Sequence, residues 1–289
     1  MEEWEPHTVT TTETIDPGPV AALAALLDDG LPTPAAGDLL PPLWHWVALP
    51  RWPVSTLIDT DGHPKRGSFL PPIDLPRRMF AGGELLLHSG LRVGQTVRRE
   101  SVVESVTEKT GRTGKLVIVV VRTRLYGTEL AVEERQDLIY REAGIPTPAL
   151  ESDTVAALTP VGSPFGKIDE SCWEFRTDPT LLMRFSAATA NAHRIHYDWP
   201  YATRIEGYPG LVVHGPLMTL ALAETIRLQQ HSARVTRLVH RNQAPMFCGQ
   251  RARVHLRATP DGHSVELSTP DGPRTRIDVE SQLDGTAHA

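Results

Sequence analysis

Residues Leu217-Met-Thr-Leu-Ala-Leu-Ala223 are apolar on nearly every face of a helix. A helix with no side to show to water must be wrapped by the rest of its fold. Pro216 suits the first helical position, where a missing N–H costs nothing. The wrapping follows at once. Arg234–Arg241, Gln250–Ala258, Ser264–Ser268 and Thr275–Gln282 read as strands, with Asp261-Gly262 and Asp271-Gly272 as tight hairpin turns. A buried helix beside an antiparallel meander defines an α+β unit.

The first half of the chain carries a similar meander: Glu84–His88, Gln95–Val106, Lys115–Tyr126 and Glu129–Arg141. Val93-Gly-Gln-Thr-Val97 opens this series as Cys248-Gly-Gln-Arg-Ala252 opens the other, so two related units fused in one chain are expected. The Thr-Gly-Arg-Thr-Gly-Lys stretch ending at Lys115 has the wrong glycine spacing for a phosphate loop and reads as a hairpin turn. The first unit lacks a long apolar helix. Asp16 can cap a short one over Pro17–Asp28. Residues 1–15 are expected to be frayed or extended. Ten prolines between Pro32 and Pro76 exclude long regular structure. Leu43, Trp44, Trp46, Phe69 and Ile73 make that segment a covering layer, either a plug over the core or a pocket wall. Residues 144–166 read as a linker with a short helix near Ser152–Leu158, and the last few residues as disordered.

Net charge is −6, which gives no basic stripe for nucleic acid. Cys172 and Cys248 form no CxxC and fit a reducing compartment. The acidic start has no signal-peptide pattern, so a cytoplasmic location is expected. Runs such as Leu116–Val121 are too short for a membrane span.

Chemically capable residues concentrate between Arg184 and the apolar helix: Asn191, His193, Arg194, His196, Asp198, Tyr201, Glu206 and His214-Gly215. Histidine exchanges protons near neutral pH, which makes His196 a natural acid/base. Gly215 lies at a helix start, where free N–H groups favour an oxygen gaining charge. Asn191 can hold water but cannot take its proton. Arg184 and Arg194 could bind an anion, or could be solvated or paired with a neighbouring acid. His193-x-x-His196-x-Asp198 could ligate a metal, but no further motif completes such a site, and no metal or cofactor is expected.

Asn191-Ala-His-Arg-Ile-His-Tyr-Asp198, Tyr201-Ala202 and Glu206-Gly-Tyr-Pro-Gly-Leu-Val-Val-His-Gly-Pro-Leu217 together resemble the signature of the R-specific, type-2 enoyl-CoA hydratase and MaoC-like dehydratase family. They are closest to its double-hotdog branch, which contains mesaconyl-C4-CoA hydratase and the mitochondrial-type 3-hydroxyacyl-thioester dehydratases. Leu40–Trp46, Gly67–Pro72 and Pro76–Gly83 extend the resemblance into the first half. It implies a double hotdog: a non-catalytic unit over 1–143 that walls the acyl pocket, the linker, and a catalytic unit over 167–289. It implies catalysis by His196, with Gly215 as oxyanion donor and Asp198 orienting the loop. Asn191 stands where the family has a catalytic Asp. Tyr201, His214, Arg194, Leu211 and Val213 are implied substrate contacts. The implied reaction adds or removes water across the α,β double bond of an acyl-CoA or carrier-protein thioester, including a branched or dicarboxylic group such as mesaconyl. The chain is expected as a monomeric pseudo-dimer or a homodimer. A hotdog thioesterase, or a non-catalytic acyl-binding protein, is the alternative. Glu224 would then be the acid available on the helix.

Overall fold

Between Val9 and Arg141 the chain forms β1 (Val9–Thr14), α1 (Pro17–Leu27), α2 (His45–Ala48), β2 (Arg77–Leu87), β3 (Thr96–Gly111), β4 (Gly114–Tyr126) and β5 (Leu130–Arg141). The second half forms β6 (Phe165–Lys167), β7 (Cys172–Phe175), α3 (Pro179–Ala188), α4 (Gly215–Leu228), β8 (Arg234–Asn242), β9 (Ala252–Thr259), β10 (Gly262–Thr269) and β11 (Gly272–Gln282). These elements come from a computed structural model describing residues 4–111, 114–142, 161–229 and 234–282. The expected short helix at 152–158 and the C-terminal tail lie outside the described residues. β6 begins inside the segment expected as linker.

The strands build one antiparallel sheet in the order β1-β3-β4-β5-β2-β8-β11-β10-β9-β7-β6. Its centre is the pair β2–β8, in register from Gly82↔Arg241 to Leu86↔Arg237. On either side the order repeats: β5, β4, β3 and β1 leave β2 as β11, β10, β9 and β7 leave β8. The two Gly-Gln turns are equivalent in detail. Gly94 and Gly249 have φ of 86° and 83°, a region that glycine enters without strain. Gln95 Oε1 accepts from Arg92 N–H, and Gln250 Oε1 from Phe247 N–H, each at 2.9 Å.

The apolar helix is α4, and Leu217, Met218, Leu220, Ala221 and Leu222 are all buried. They share one core with Leu23, Leu27, Leu43 and Trp44 of the first half. Burying a side chain such as Leu stabilises by about 1.5–3 kcal/mol. In the first half the α-helix that precedes β2 in the chain is only α2, four residues long. The proline-rich segment does cover a sheet face, because Phe69, Leu70 and Ile73 pack on Val103, Val119 and Tyr140.

Val9–Thr14, within the stretch expected as frayed or extended, is extended and pairs with β3 along its whole length. One expectation needs correction. β2 starts at Arg77 rather than Glu84, since backbone pairing to β5 from Arg77↔Arg141 overrides the lack of alternation in Arg-Arg-Met-Phe-Ala-Gly-Gly.

Candidate active site

The loop after α3 owes its shape to short-range hydrogen bonds. Asp178 caps α3 through Leu181 N–H (2.9 Å). Past the helix, Asn191 Oδ1 accepts from His193 N–H at 3.1 Å. Arg194–His196 forms a single 3₁₀ turn. Arg194 donates twice to Asp198 Oδ2, at 2.9 and 2.8 Å, and stacks over Tyr201 at 4.2 Å. Asp198 Oδ1 accepts from Tyr201 N–H at 3.1 Å. Asp198 therefore ties the loop together.

His196 is buried and its Nδ1 lies 2.7 Å from the carbonyl oxygen of Val212. A carbonyl can only accept, so Nδ1 carries the proton and Nε2 keeps its lone pair. Val212 N–H donates back to Ile195 O (3.0 Å), and Val213 N–H donates to Met246 O (2.8 Å). Burial pushes the imidazole pKa down to about 3, more than the Val212 carbonyl can offset. The ring is thus neutral at physiological pH, a base rather than the half-protonated group that its usual range suggests. His214 stacks behind it, ring centres 3.6 Å apart, and is held by Ser186 Oγ at 2.8 Å.

His196, Asn191, Val213 and Gly215 line one cavity of about 650 Å³. Gly215 opens α4, and its N–H has no hydrogen-bond acceptor among the described residues. A basic nitrogen and a free N–H at a helix start thus share one chamber, the two things needed to move a proton and to stabilise an enolate-like oxygen. Four residues expected to touch substrate do not line it. Leu211 and His214 are buried outside its lining, Tyr201 lines a separate pocket with Glu206, and Arg194 is committed to Asp198, Tyr201 and the Thr60 carbonyl (3.0 Å). Arg184 is also spent elsewhere, donating to Ala25 O at 3.1 Å.

Glu224 does not line the cavity either. It is buried, accepts from Trp44 Nε1 (3.2 Å) and Arg227 Nε (2.5 Å), and burial pushes its pKa up to about 7. The carboxylate that a thioesterase would use is engaged in holding α4 to the first half.

The first half brings in residues that the sequence did not single out. His63 and Arg78 line the same cavity. Asp61 holds His63 through Oδ2 to Nδ1 at 2.9 Å, and the His63 and His193 ring centres are 4.1 Å apart. Among the described residues, Asp61, His63 and His193 also place one donor atom each within 4.8 Å of one another, a grouping that could hold a metal ion. It differs from His193, His196 and Asp198, the grouping weighed and set aside in the sequence, since Asp198 faces Arg194. A signal for His63 existed: the tight Asp61-Gly-His63 turn carries two ionisable groups inside a proline-rich segment.

Fold and cavity define a double-hotdog protein whose chamber offers one histidine base and one free helix-start N–H. The chain belongs to the hydroxyacyl-thioester dehydratase type 2 family, which it matches over residues 43–248. It is 47% identical over 269 residues to mesaconyl-C(4)-CoA hydratase of Chloroflexus aurantiacus, covering 91% of both chains. It is 27% identical to the mitochondrial hydroxyacyl-thioester dehydratase type 2 of Schizosaccharomyces pombe, covering 87% of this chain and 90% of that one. The fold matches HtdX of Mycobacterium tuberculosis at TM-score 0.66 and 20% identity, covering 96% and 100%. It also matches another M. tuberculosis protein, described as a double hotdog, at TM-score 0.51 and 18% identity, covering 98% and 97%. The protein is an acyl-thioester hydro-lyase. No helix among the described residues is long and apolar enough to cross a membrane.

Proposed function

We propose that this hydro-lyase acts on the CoA thioester of a branched dicarboxylic acid of the mesaconyl kind. The observation that carries this is Arg78. Its guanidinium borders the cavity, burial pushes its pKa down, and it forms no ion pair among the described residues. The Tyr140 hydroxyl and Asp61 stabilise the charge only in part. A desolvated cation without a counter-ion is costly until an anion arrives. In a mesaconyl group bound through C4, the free carboxylate sits on the β-carbon, the carbon that takes the hydroxyl. Arg78 acts on His63 and His193 electrostatically and lines the same cavity as His196, which supports a carboxylate bound near the reacting carbon. The similarity to the Chloroflexus hydratase supports the same substrate.

In this reading the thioester oxygen points at Gly215 N–H. His196 Nε2 takes a proton from water as the water oxygen bonds to the β-carbon. The electron pair of the double bond shifts onto the thioester, and His196 returns the proton to the α-carbon. One site per chain is expected, because the first unit has no second copy of the Asn191–Asp198 motif. The test is a thioester panel (mesaconyl-C4-, crotonyl- and 3-hydroxybutyryl-CoA) followed by enoyl absorbance and free thiol, for wild type and Arg78→Met. Mesaconyl-C4-CoA should be preferred, without thiol release, and Arg78→Met should lose that preference by about tenfold or more, the order expected for a desolvated charge pair. Thiol release, or a preference unchanged in Arg78→Met, would remove the proposal.

A further inference from the structure

Asn191 and His196 line the same cavity. The Asn191 oxygen already accepts from His193 N–H at 3.1 Å. Asn191 therefore serves the loop. The loop 59–64 of the first half reaches it. Arg194 N–H donates to the Asp61 carbonyl at 2.9 Å, and Arg194 Nη1 donates to that of Thr60 at 3.0 Å. Gly62 has φ 91°, and a Cβ there would come within 1.8 Å of the Ala192 carbonyl oxygen. Only glycine lets the two backbones meet this closely. The turn is fastened within itself by Asp59 N–H to His63 O (2.7 Å) and Gly62 N–H to Asp59 O (3.0 Å).

Asp61 grips His63 twice, accepting from its backbone N–H with Oδ1 (2.8 Å) and from Nδ1 with Oδ2 (2.9 Å). A carboxylate here can only accept, so Nδ1 carries the proton and Nε2 presents a lone pair. Nε2 has no partner among the described residues and is not sealed off by protein, while the residue lines the cavity. The His63 ring leans on His193, whose own ring stands edge-on to His196 at 5.5 Å.

We infer that His63, oriented by Asp61, is a further catalytic residue: its Nε2 accepts one hydrogen of the water that adds to the substrate, while His196 Nε2 accepts the other. The inference rests on the hydro-lyase activity and gives the first half a part in the chemistry. The water oxygen bonds to the β-carbon, one O–H bond breaks toward His196, and that proton ends on the α-carbon. The O–H facing His63 stays intact and becomes the product hydroxyl. His63 gains no proton. In the reverse direction it accepts the same hydrogen bond from the departing hydroxyl. Asp61 is a positioning residue that acts only through the tautomer of His63.

Asp61→Asn separates this role from a structural one. The amide oxygen can still accept from His63 N–H, so the turn is preserved. Its NH₂ must face Nδ1, which drives the proton to Nε2 and replaces the water-accepting lone pair with a donor. Turnover should fall by about 100-fold or more, the usual scale for such groups, with KM changed by less than about threefold. Nitrogen chemical shifts of labelled histidine should report the tautomer change. His63→Gln, which keeps an acceptor oxygen, should retain more activity than His63→Leu. If Asp61→Asn and His63→Leu both turn over like wild type while His196→Ala is inactive, the inference fails and the hydro-lyase assignment stands. Activity abolished by chelation and restored by zinc would give Asp61, His63 and His193 to a metal instead, and would also overturn it. Should Asp61→Asn fail to fold, the Gln and Leu variants at His63 decide alone.

Discussion

The two halves of the sheet are laid out alike and filled differently. In the second half the strands close round α4, fourteen residues long, whose apolar faces leave no space. In the first half the α-helix that precedes β2 in the chain is α2, four residues long. The cavity extends into this half, where polar Arg99, Ser101, Gln136 and His45 line it together with apolar Leu49, Val121, Leu125 and Leu138. Glu134 accepts from His45 (3.1 Å), Trp46 (2.6 Å) and Gln136 (2.8 Å), so the buried polar groups there are largely satisfied. A duplicated unit can thus keep one copy packed for precision and thin the other for room.

The sharpest way to break this division is His196→Ala. Turnover should drop by about 10² to 10⁴ while the melting temperature holds. A near-native rate would move the chemistry out of the second half.

Filling the first half is the complementary test. Ser101→Phe inserts a ring into the first-half end of the cavity, next to Thr123. Mesaconyl and longer acyl thioesters should lose about 1–3 kcal/mol of kcat/KM, and crotonyl-CoA less. Equal losses for all would mean that the acyl group never enters there.

Acid should weaken the site before it weakens the sheet. Burial holds His63 near 4 and His196 near 3, and lowers His214 too, all below the ordinary value of 6.5. Between those values the unfolded chain binds protons that the native chain refuses, so stability is full above about 6.5 and falls as the pH drops toward 4. Each such group contributes up to about 1.4 kcal/mol per pH unit. Urea midpoints from pH 7 to 4.5 should show the slope, and His63→Leu should reduce it. A flat profile would contradict the neutral, buried state of these rings.

Asn191→Asp should act more gently. A carboxylate beside His196 raises its pKa, so the acidic limb of the rate profile should move upward in pH. An unchanged limb would mean that position 191 does not sense the imidazole. Asn191→Ala should cost about 1–3 kcal/mol through the lost bond to His193 N–H, read as reduced turnover and lower stability together.

The smallest effect on rate should come from Glu224→Gln. Glu224 serves Trp44 and Arg227, and turnover should stay within about twofold of wild type. A collapse in turnover without unfolding would revive the thioesterase alternative.

Much of the fold could be read from periodicity. The four strands of each meander, their hairpins and the buried helix are local patterns, and the Gly-Gln echo announced the duplication. α3 is marked at its start by Asp178-Pro179, but its ten residues are too short to give a strong helical period. The site divided along the same line. Asn191, His196 and Gly215 sit within 25 residues of one another and carry a motif. His63 and Arg78 lie more than a hundred residues upstream, and long-range contacts, Gly62 against Ala192 and Arg194 to the Thr60 and Asp61 carbonyls, bring the turn to the motif. Arg194 misled for the opposite reason: a cation in a motif invites an anion, but its i,i+4 partner Asp198 was closer.

The seam between β2 and β8 has a kinetic meaning. Five residue pairs, from Gly82↔Arg241 to Leu86↔Arg237, stitch the halves into one ladder. Two bodies joined this way cannot gape on a hinge without breaking main-chain hydrogen bonds. Side chains lining the cavity, by contrast, turn on timescales of roughly nanoseconds without disturbing the seam.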